Sequence, residues 1–253
     1  MSTAHIEAHT SLAPSTPASE APAERHQTYQ PIHKALRAFM ARVLVDLGRM
    51  DTSDAGECRA TLGQARSLLA LLSSHLEHEN RFIHPALEAL QPGSSARVDE
   101  DHAAHQATIE ALTAEVQALL DTCSAVPVPA RADSDALRLY RRFALFMAEN
   151  IEHMHHEETV LHAMLCAGYS DTELHAIHAR LLASVPPTEM MLVLGWMLPA
   201  LTPAQRAGML GEMQTQAPTE VMRAVLNVAQ TVLDLPAWAK LARSLGLAPM
   251  TAW

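Results

Sequence analysis

Two stretches of this chain carry the same spelling. HLEHENRFIH at residues 75–84 and HMHHEETVLH at residues 153–162 both read H-x-x-H-E-x-x-x-x-H. Within each, a histidine and a glutamate stand four apart: His75 with Glu79, and His153 with Glu157. At about 100° per residue, such a pair differs by only about 40° around a helix axis, so both side chains point one way. A neutral imidazole and a carboxylate placed like that can both reach a single metal pair. A lone His-x-x-x-Glu is most often a solvated surface pair. Here each pair lies on an apolar face, in line with Leu72 and Ile83 or with Phe146 and Leu161. His33 and His102 sit on apolar faces of two further stretches, and His105 follows His102 by three residues. Burying that many polar groups without partners is expensive, and a metal ion removes the cost by taking up their lone pairs. On softness alone, imidazole with carboxylate suits iron, zinc, manganese or copper.

The elements that must position these residues read as helices. The first starts near Pro31, with His33, Leu36, Met40, Val43 and Leu47 three or four apart, and stops at Gly48 and the polar stretch 51–56. The second runs from about Cys58 to Leu90 and breaks at QPGSS, residues 91–95. The third reaches about Cys123, with His102, His105, Ile109, Leu112 and Val116 in register. The fourth spans about Ser134 to Ala167, with Phe143, Phe146, Asn150, His153, Glu157 and Leu161 on one face. Short loops between consecutive long helices predict antiparallel neighbours. The fold class is therefore all-α: an antiparallel up-down four-helix bundle over residues 29–168, preceded by a disordered arm at 1–28 and followed by a helical extension at 169–253. In that extension a capping box at Ser170–Glu173, the Thr202-Pro203 start and several prolines divide about five shorter helices, with Gly246 as a C-terminal stop.

Composition agrees. Ala, Leu and Met dominate the apolar residues and aromatics are few, which favours helix over sheet. A formal charge of −10 argues against nucleic acid as a partner, and no basic run suggests a membrane surface. Cys58, Cys123 and Cys166 stand alone and form no disulfide framework. The first residues lack the basic and apolar regions of a signal, no apolar run is long enough to span a bilayer, and a cytoplasmic location is expected. His84 and His162, nine residues after the first histidine of each motif, fall about 180° round and should point away. His78, His155 and His156 fall beside the ligand faces, while His5, His9, His26, His175 and His178 lie outside the pattern.

The order His33, His75-x-x-x-Glu79, His102, His153-x-x-x-Glu157 resembles the hemerythrin-like, or HHE, cation-binding family. The likeness extends to IHKALR around His33, NRFIHP after Glu79 and the Glu157-Glu158 pair, and covers residues 29 to 167. It implies an up-down bundle holding two non-haem irons bridged by carboxylates and an oxo or hydroxo group. Carried over by position, His33, His75, His102 and His153 are terminal ligands, and Glu79 and Glu157 bridge. Oxygen-carrying members place two histidines four apart on the third helix and end on His-x-x-x-x-Asp. This chain has His102 and His105 three apart, and Glu157 four after His153. It therefore resembles the broader HHE group, which weighs against simple oxygen storage. Family position favours His102 as the third-helix ligand, whereas depth in the bundle favours a residue near 105, so both are expected to contribute.

What the resemblance implies for function divides into three classes. The first is binding or sensing of O₂, NO or peroxide; the second is a di-iron enzyme reducing peroxide or NO; the third is an iron donor or store for iron–sulfur repair. An enzyme needs a proton donor near the open position, and the sequence offers none beyond Glu158, so binding or sensing is the expected role, with weak peroxidase-type turnover as the enzymatic variant. Met190, Met191, Met197, Met209, Met213 and Met222 read first as ordinary helix packing within the extension, with an adaptable surface for a second copy or a protein partner as the alternative.

Overall fold

A computed structural model describes residues 25–125 and 127–247, and among these the chain is helical with no strand. The first 24 residues of the expected arm, with His5 and His9, lie outside the described residues; Arg25 to Thr28 lie against the rest of the chain. Helix α1 (Gln30–Arg49) begins one residue before Pro31. Helix α2 (Ala55–His78) starts earlier than its apolar pattern because the Asp54 carboxylate accepts from the backbone N–H groups of Gly56 and Glu57. It continues through a π-helical turn at Glu79–Ile83 into α3 (His84–Leu90). The break at 91–95 turns on Gly93, whose φ of 86° is costly for any residue with a Cβ. Helix α4 (Ala96–Cys123) follows, then α5 (Ala132–His156), a second π-helical turn at Glu157–Leu161, and α6 (His162–Gly168).

Helix α2 packs on α1 and α4, and α5 packs on α4 and α1, so the four long helices close a ring. Inside it lies one apolar core, including Leu36, Phe39, Met40, Leu62, Leu68, Leu112, Phe143 and Phe146. A second cluster at one end joins Tyr29, Ile83, Leu87, Leu161, Leu165, Leu174 and Ile177.

Five shorter helices follow: α7 (Asp171–Ser184), α8 (Pro187–Ala200), α9 (Pro203–Gln216), α10 (Thr219–Val232) and α11 (Leu235–Ser244). The capping boxes at Ser170–Glu173 and Thr202–Gln205 both form, and Gly246 takes φ 66° just past the last helix. Helix α8 lies along α1, with Trp196 stacked on Phe39 at 4.0 Å between ring centroids. Helix α7 packs through Leu174 and Ile177 on the cluster of Ile83 and Leu161, whereas α9, α10 and α11 gather with α8 around their own core of Leu198, Leu210, Val225, Trp238 and Leu241. Four of the six methionines, Met190, Met191, Met209 and Met213, pack against that core and Met222 is buried within it, so their apolar length serves the fold.

Arg206 is buried, and its guanidinium donates to the carbonyls of Leu198 at 2.7 Å and Leu201 at 2.9 Å, groups left open by the end of α8. A cation there also answers the negative end of the helix dipole. Arg206→Met leaves both carbonyls without a donor and should lower stability by about 2–3 kcal/mol, read as an earlier urea midpoint. An unchanged midpoint would show that water satisfies those carbonyls as well as the arginine does.

Candidate metal centre

Both paired carboxylates sit where a regular helix loosens. In each π-helical turn the backbone N–H five residues on, of His84 or His162, donates to the carbonyl of Glu79 or Glu157. Such turns insert one extra residue into the helical ladder and recur at functional sites. Glu79 is 2% exposed and Glu157 fully buried, and around them His33, His102 and His153 are buried as well. His33 comes from the start of α1, His75 from the end of α2, His102 from the start of α4 and His153 from the end of α5.

The oxygens of each carboxylate divide between two sides. Oε1 of Glu79 lies 3.6 Å from His33 Nε2 and 3.4 Å from His75 Nε2, while its Oε2 lies 3.6 Å from His102 Nε2. Oε2 of Glu157 lies 3.4 Å from His33 Nε2, while its Oε1 lies 3.7 Å from His102 Nε2 and 3.3 Å from His153 Nε2. Two groups of ligand atoms result, each within 4.8 Å: His33, His75 and Glu79, and Glu79, His102, His153 and Glu157. Glu79 belongs to both, and Glu157 reaches the first through its second oxygen.

The ring nitrogens facing away from the centre are held by oxygen acceptors. His33 Nδ1 meets Glu158 Oε1 at 3.1 Å, and Arg37 clamps Glu158 at 2.7 and 3.2 Å. His102 Nδ1 meets Asn80 Oδ1 at 2.6 Å, and His153 Nδ1 lies 3.4 Å from Asp101 Oδ2. An acceptor at Nδ1 places the proton there and aims the Nε2 lone pair inward, as metal-binding imidazoles are commonly prepared. Asn80 and Glu158 each follow one of the central carboxylates, and each grips the histidine of a neighbouring helix. The repeated motif thus extends one residue further than its H-x-x-H-E spelling suggests.

The electrostatics are those of a cavity where protons and cations compete for the same lone pairs. Burial, then the charge of Glu157, pushes the Glu79 carboxyl up. Burial opposes a charge on Glu157, yet the imidazoles of His102 and His153 facing it hold its carboxyl well below the usual range. Burial likewise opposes protonation of His33, but Glu158 and Glu79 raise it to about 9. Burial and the nearby His33 push His75 well down. Glu158 is held near 2 by His33 and Arg37 against its own burial. Its carboxylate is committed to an ion pair.

Whether these residues fit a metal can be tested on their unmet valences. His33 Nε2, His75 Nε2, Glu79 Oε2 and both oxygens of Glu157 are buried with no hydrogen-bond partner. Buried polar atoms are nearly always paired, so five orphans converging on one place call for a cation. Distances of 3.3–3.7 Å between them are long for hydrogen bonds and suit an ion about 2 Å from each. The residues fit.

Six of the seven residues expected from the sequence therefore meet: His33, His75, Glu79, His102, His153 and Glu157. His105 is buried beside them but outside both groups. Its ring stands edge-on to His153 at 5.0 Å and to Phe146 at 5.9 Å, and burial with His153 and His102 pushes it down to about 4. His155 is exposed, and His78 and His156 are half-buried.

His84 departs from expectation. It is buried, 4.8 Å from the His102 ring, with Nδ1 on Asp99 at 2.6 Å and Nε2 unpartnered. The π-helical turn between Glu79 and His84 explains the difference. Five residues at the wider spacing fall roughly a quarter-turn behind a regular helix, which brings the ring back toward the bundle. Tyr29 is a residue the sequence reading missed. Its ring stacks on His33 at 5.5 Å, and its buried hydroxyl has no partner. Burial, then the charges of Glu157 and Glu79, push its pKa well above the ordinary phenol range, so the hydroxyl keeps its proton. The available signal was spacing: Tyr29 lies one helical turn before His33.

An open cleft of about 700 Å³, lined in part by Asn80, Arg81, Asp99, His102 and Gln106, reaches the outer edge of His102. A family model described as the Hemerythrin HHE cation binding domain matches residues 27–165, more than half of the chain. No curated protein matches the chain, and no solved structure does.

Proposed function

The chain belongs to the hemerythrin HHE cation-binding family, and from that premise we propose that it is a di-iron protein which binds or senses O₂, NO or peroxide. In this reading residues 29–168 form an antiparallel up-down bundle. His33 and His75 hold one iron, His102 and His153 the other, and Glu79 and Glu157 bridge them, with His105 contributing from beside His153. The observation that carries the reading is the division of each carboxylate's two oxygens between the two histidine pairs.

The irons supply the affinity for a small diatomic gas or peroxide; the protein's part is to hold them and control access. Asn80, Asp101 and Glu158 fix the imidazole tautomers, and His102 is among the residues that line the cleft. Binding is favoured over turnover because Glu158, the acid that follows Glu157, is locked to Arg37 and His33 and has no proton to give. Residues 169–253 form a helical extension in this reading, and exposed Leu192, Val221 and Leu235 support a role for it in docking a second copy or a protein partner. A cytoplasmic location fits the reading; among the described residues no single helix is long and apolar enough to cross a membrane.

Metal analysis of the protein from iron-replete cells should find on the order of two irons per chain, with a visible or near-ultraviolet ligand-to-iron band. Peroxide added to the reduced protein should be consumed about once per site, as expected of a binding centre. Zinc in place of iron would overturn the iron assignment, and many turnovers per site would make the protein an enzyme of the same centre.

A further inference from the structure

Hydrogen bonds from α8 and α9 land one residue away from two histidines of the carboxylate centre. At the start of α8, Glu189 Oε1 accepts from Ser74 Oγ at 2.7 Å, and Ser74 precedes His75 on α2. At the start of α9, Gln205 Oε1 accepts from Lys34 Nζ at 2.7 Å, and Lys34 follows His33 on α1. The Gln205 amide nitrogen donates to Gln30 Oε1 at 2.6 Å, so one side chain grips α1 before and after His33. His33 and His75 belong, with Glu79, to one of the two groups of ligand atoms. The histidines of the other group, His102 and His153, lie on α4 and α5, which these bonds of Glu189 and Gln205 do not reach.

The gripping side chains are themselves held. Gln205 Oε1 also accepts from the Thr202 N–H at 3.2 Å, and the Gln205 N–H donates to Thr202 Oγ1 at 3.2 Å, which closes the capping box of α9. Helix α8 is anchored along α1 by Trp196, stacked on Phe39 with the rings 11° from parallel, and by Val193, which is buried in the bundle core. Successive residues on a helix point about 100° apart. A bond at Ser74 or Lys34 therefore resists rotation of α2 or α1 about its axis, and such rotation would swing His75 or His33 off a shared ion. A ligand must meet its ion within about 0.2 Å of the ideal length, so little rotation is tolerated.

We propose that Glu189 and Gln205 are positioning residues for the ion held by His33 and His75, and not for the ion held by His102 and His153. The inference rests on the two-ion reading of the centre. By linkage, an ion at His33 and His75 in turn holds α8 and α9 more firmly on α2 and α1.

Zinc alone, used as a diamagnetic probe on the metal-free full chain, tests this. In the unaltered protein zinc should shift the ring-nitrogen resonances of His33, His75, His102 and His153. In Glu189→Ala/Gln205→Ala the His33 and His75 shifts should need roughly fivefold to 150-fold more zinc, the usual span of coupling between sites, while His102 and His153 respond as before. Glu189→Gln keeps the acceptor for Ser74 and should recover the part of that loss due to Glu189. Thr202→Ala opens the same capping box but leaves both bonds from Gln205 to α1, so it should lower the urea midpoint without moving zinc affinity. Zinc should also slow amide hydrogen exchange at the starts of α8 and α9 in the unaltered protein. Equal weakening at all four histidines, or none, overturns the proposal, as does an equal loss of zinc affinity in Thr202→Ala. If zinc shifts none of the four histidines in the unaltered protein, the two-ion reading falls and this proposal with it.

Discussion

Glu79→Gln should strip the protein of most of its bound metal. The substitution keeps shape and volume but replaces an oxygen that faces His102, or one that faces His33 and His75, with an amide nitrogen that carries no lone pair for an ion. Because Glu79 belongs to both groups of ligand atoms, both positions weaken at once. Removing a partner that merely orients a ligand typically costs tenfold to hundredfold in affinity, and loss of a shared carboxylate should exceed that range. Glu158→Gln is the natural comparison. It disturbs only the outer nitrogen of His33 and the Arg37 clamp, and should weaken metal roughly tenfold to hundredfold without changing the number bound at saturation. Elemental analysis after dialysis against a graded chelator series reads both effects. Full metal content in a Glu79→Gln/Glu157→Gln double variant would end the two-ion reading.

His102→Ala and His105→Ala should part company, although the two residues lie three apart on one helix. His102 Nε2 lies 3.6 and 3.7 Å from the two carboxylates and 2.9 Å from His153 Nε2, so its loss removes a ligand from one position. About one ion should be lost, and the remaining spectrum should be that of a single-metal site. His105 stands outside both groups, packed edge-on against His153 and Phe146. Its loss leaves a gap beside His153 and should alter gas or peroxide binding while the metal count holds. The reverse outcome, an emptied site in His105→Ala and an untouched one in His102→Ala, would place the third-helix ligand one turn further along α4.

The paired motifs were legible because the relation they depend on is local. Four residues is one turn of helix, so His75 with Glu79 and His153 with Glu157 share a direction whatever else the chain does. The apolar lines through Leu72 and Ile83, or Phe146 and Leu161, said which direction was inward. Capping residues were legible for the same reason: Ser170 and Thr202 act within three residues. The start of α2 was read a few residues late because its apolar pattern begins after its cap at Asp54.

What the sequence determined by itself, then, is a helical chain with four inward-facing histidine positions and two carboxylates at one turn's spacing from their histidines. Tertiary structure decided the rest, because it turns on contacts between residues far apart in the chain. The π-helical turns at Glu79 and Glu157 cannot be read from a 3.6-residue period, and they are why His84 is buried near His102 instead of facing out. The outer partners Asn80, Asp101 and Glu158 act across to other helices, His102 rather than His105 joins the carboxylates by its height on α4, and His26 meets His178 across some 150 residues of chain. In each case the side-chain type is written locally, but the lone pair it meets is set by how whole helices pack.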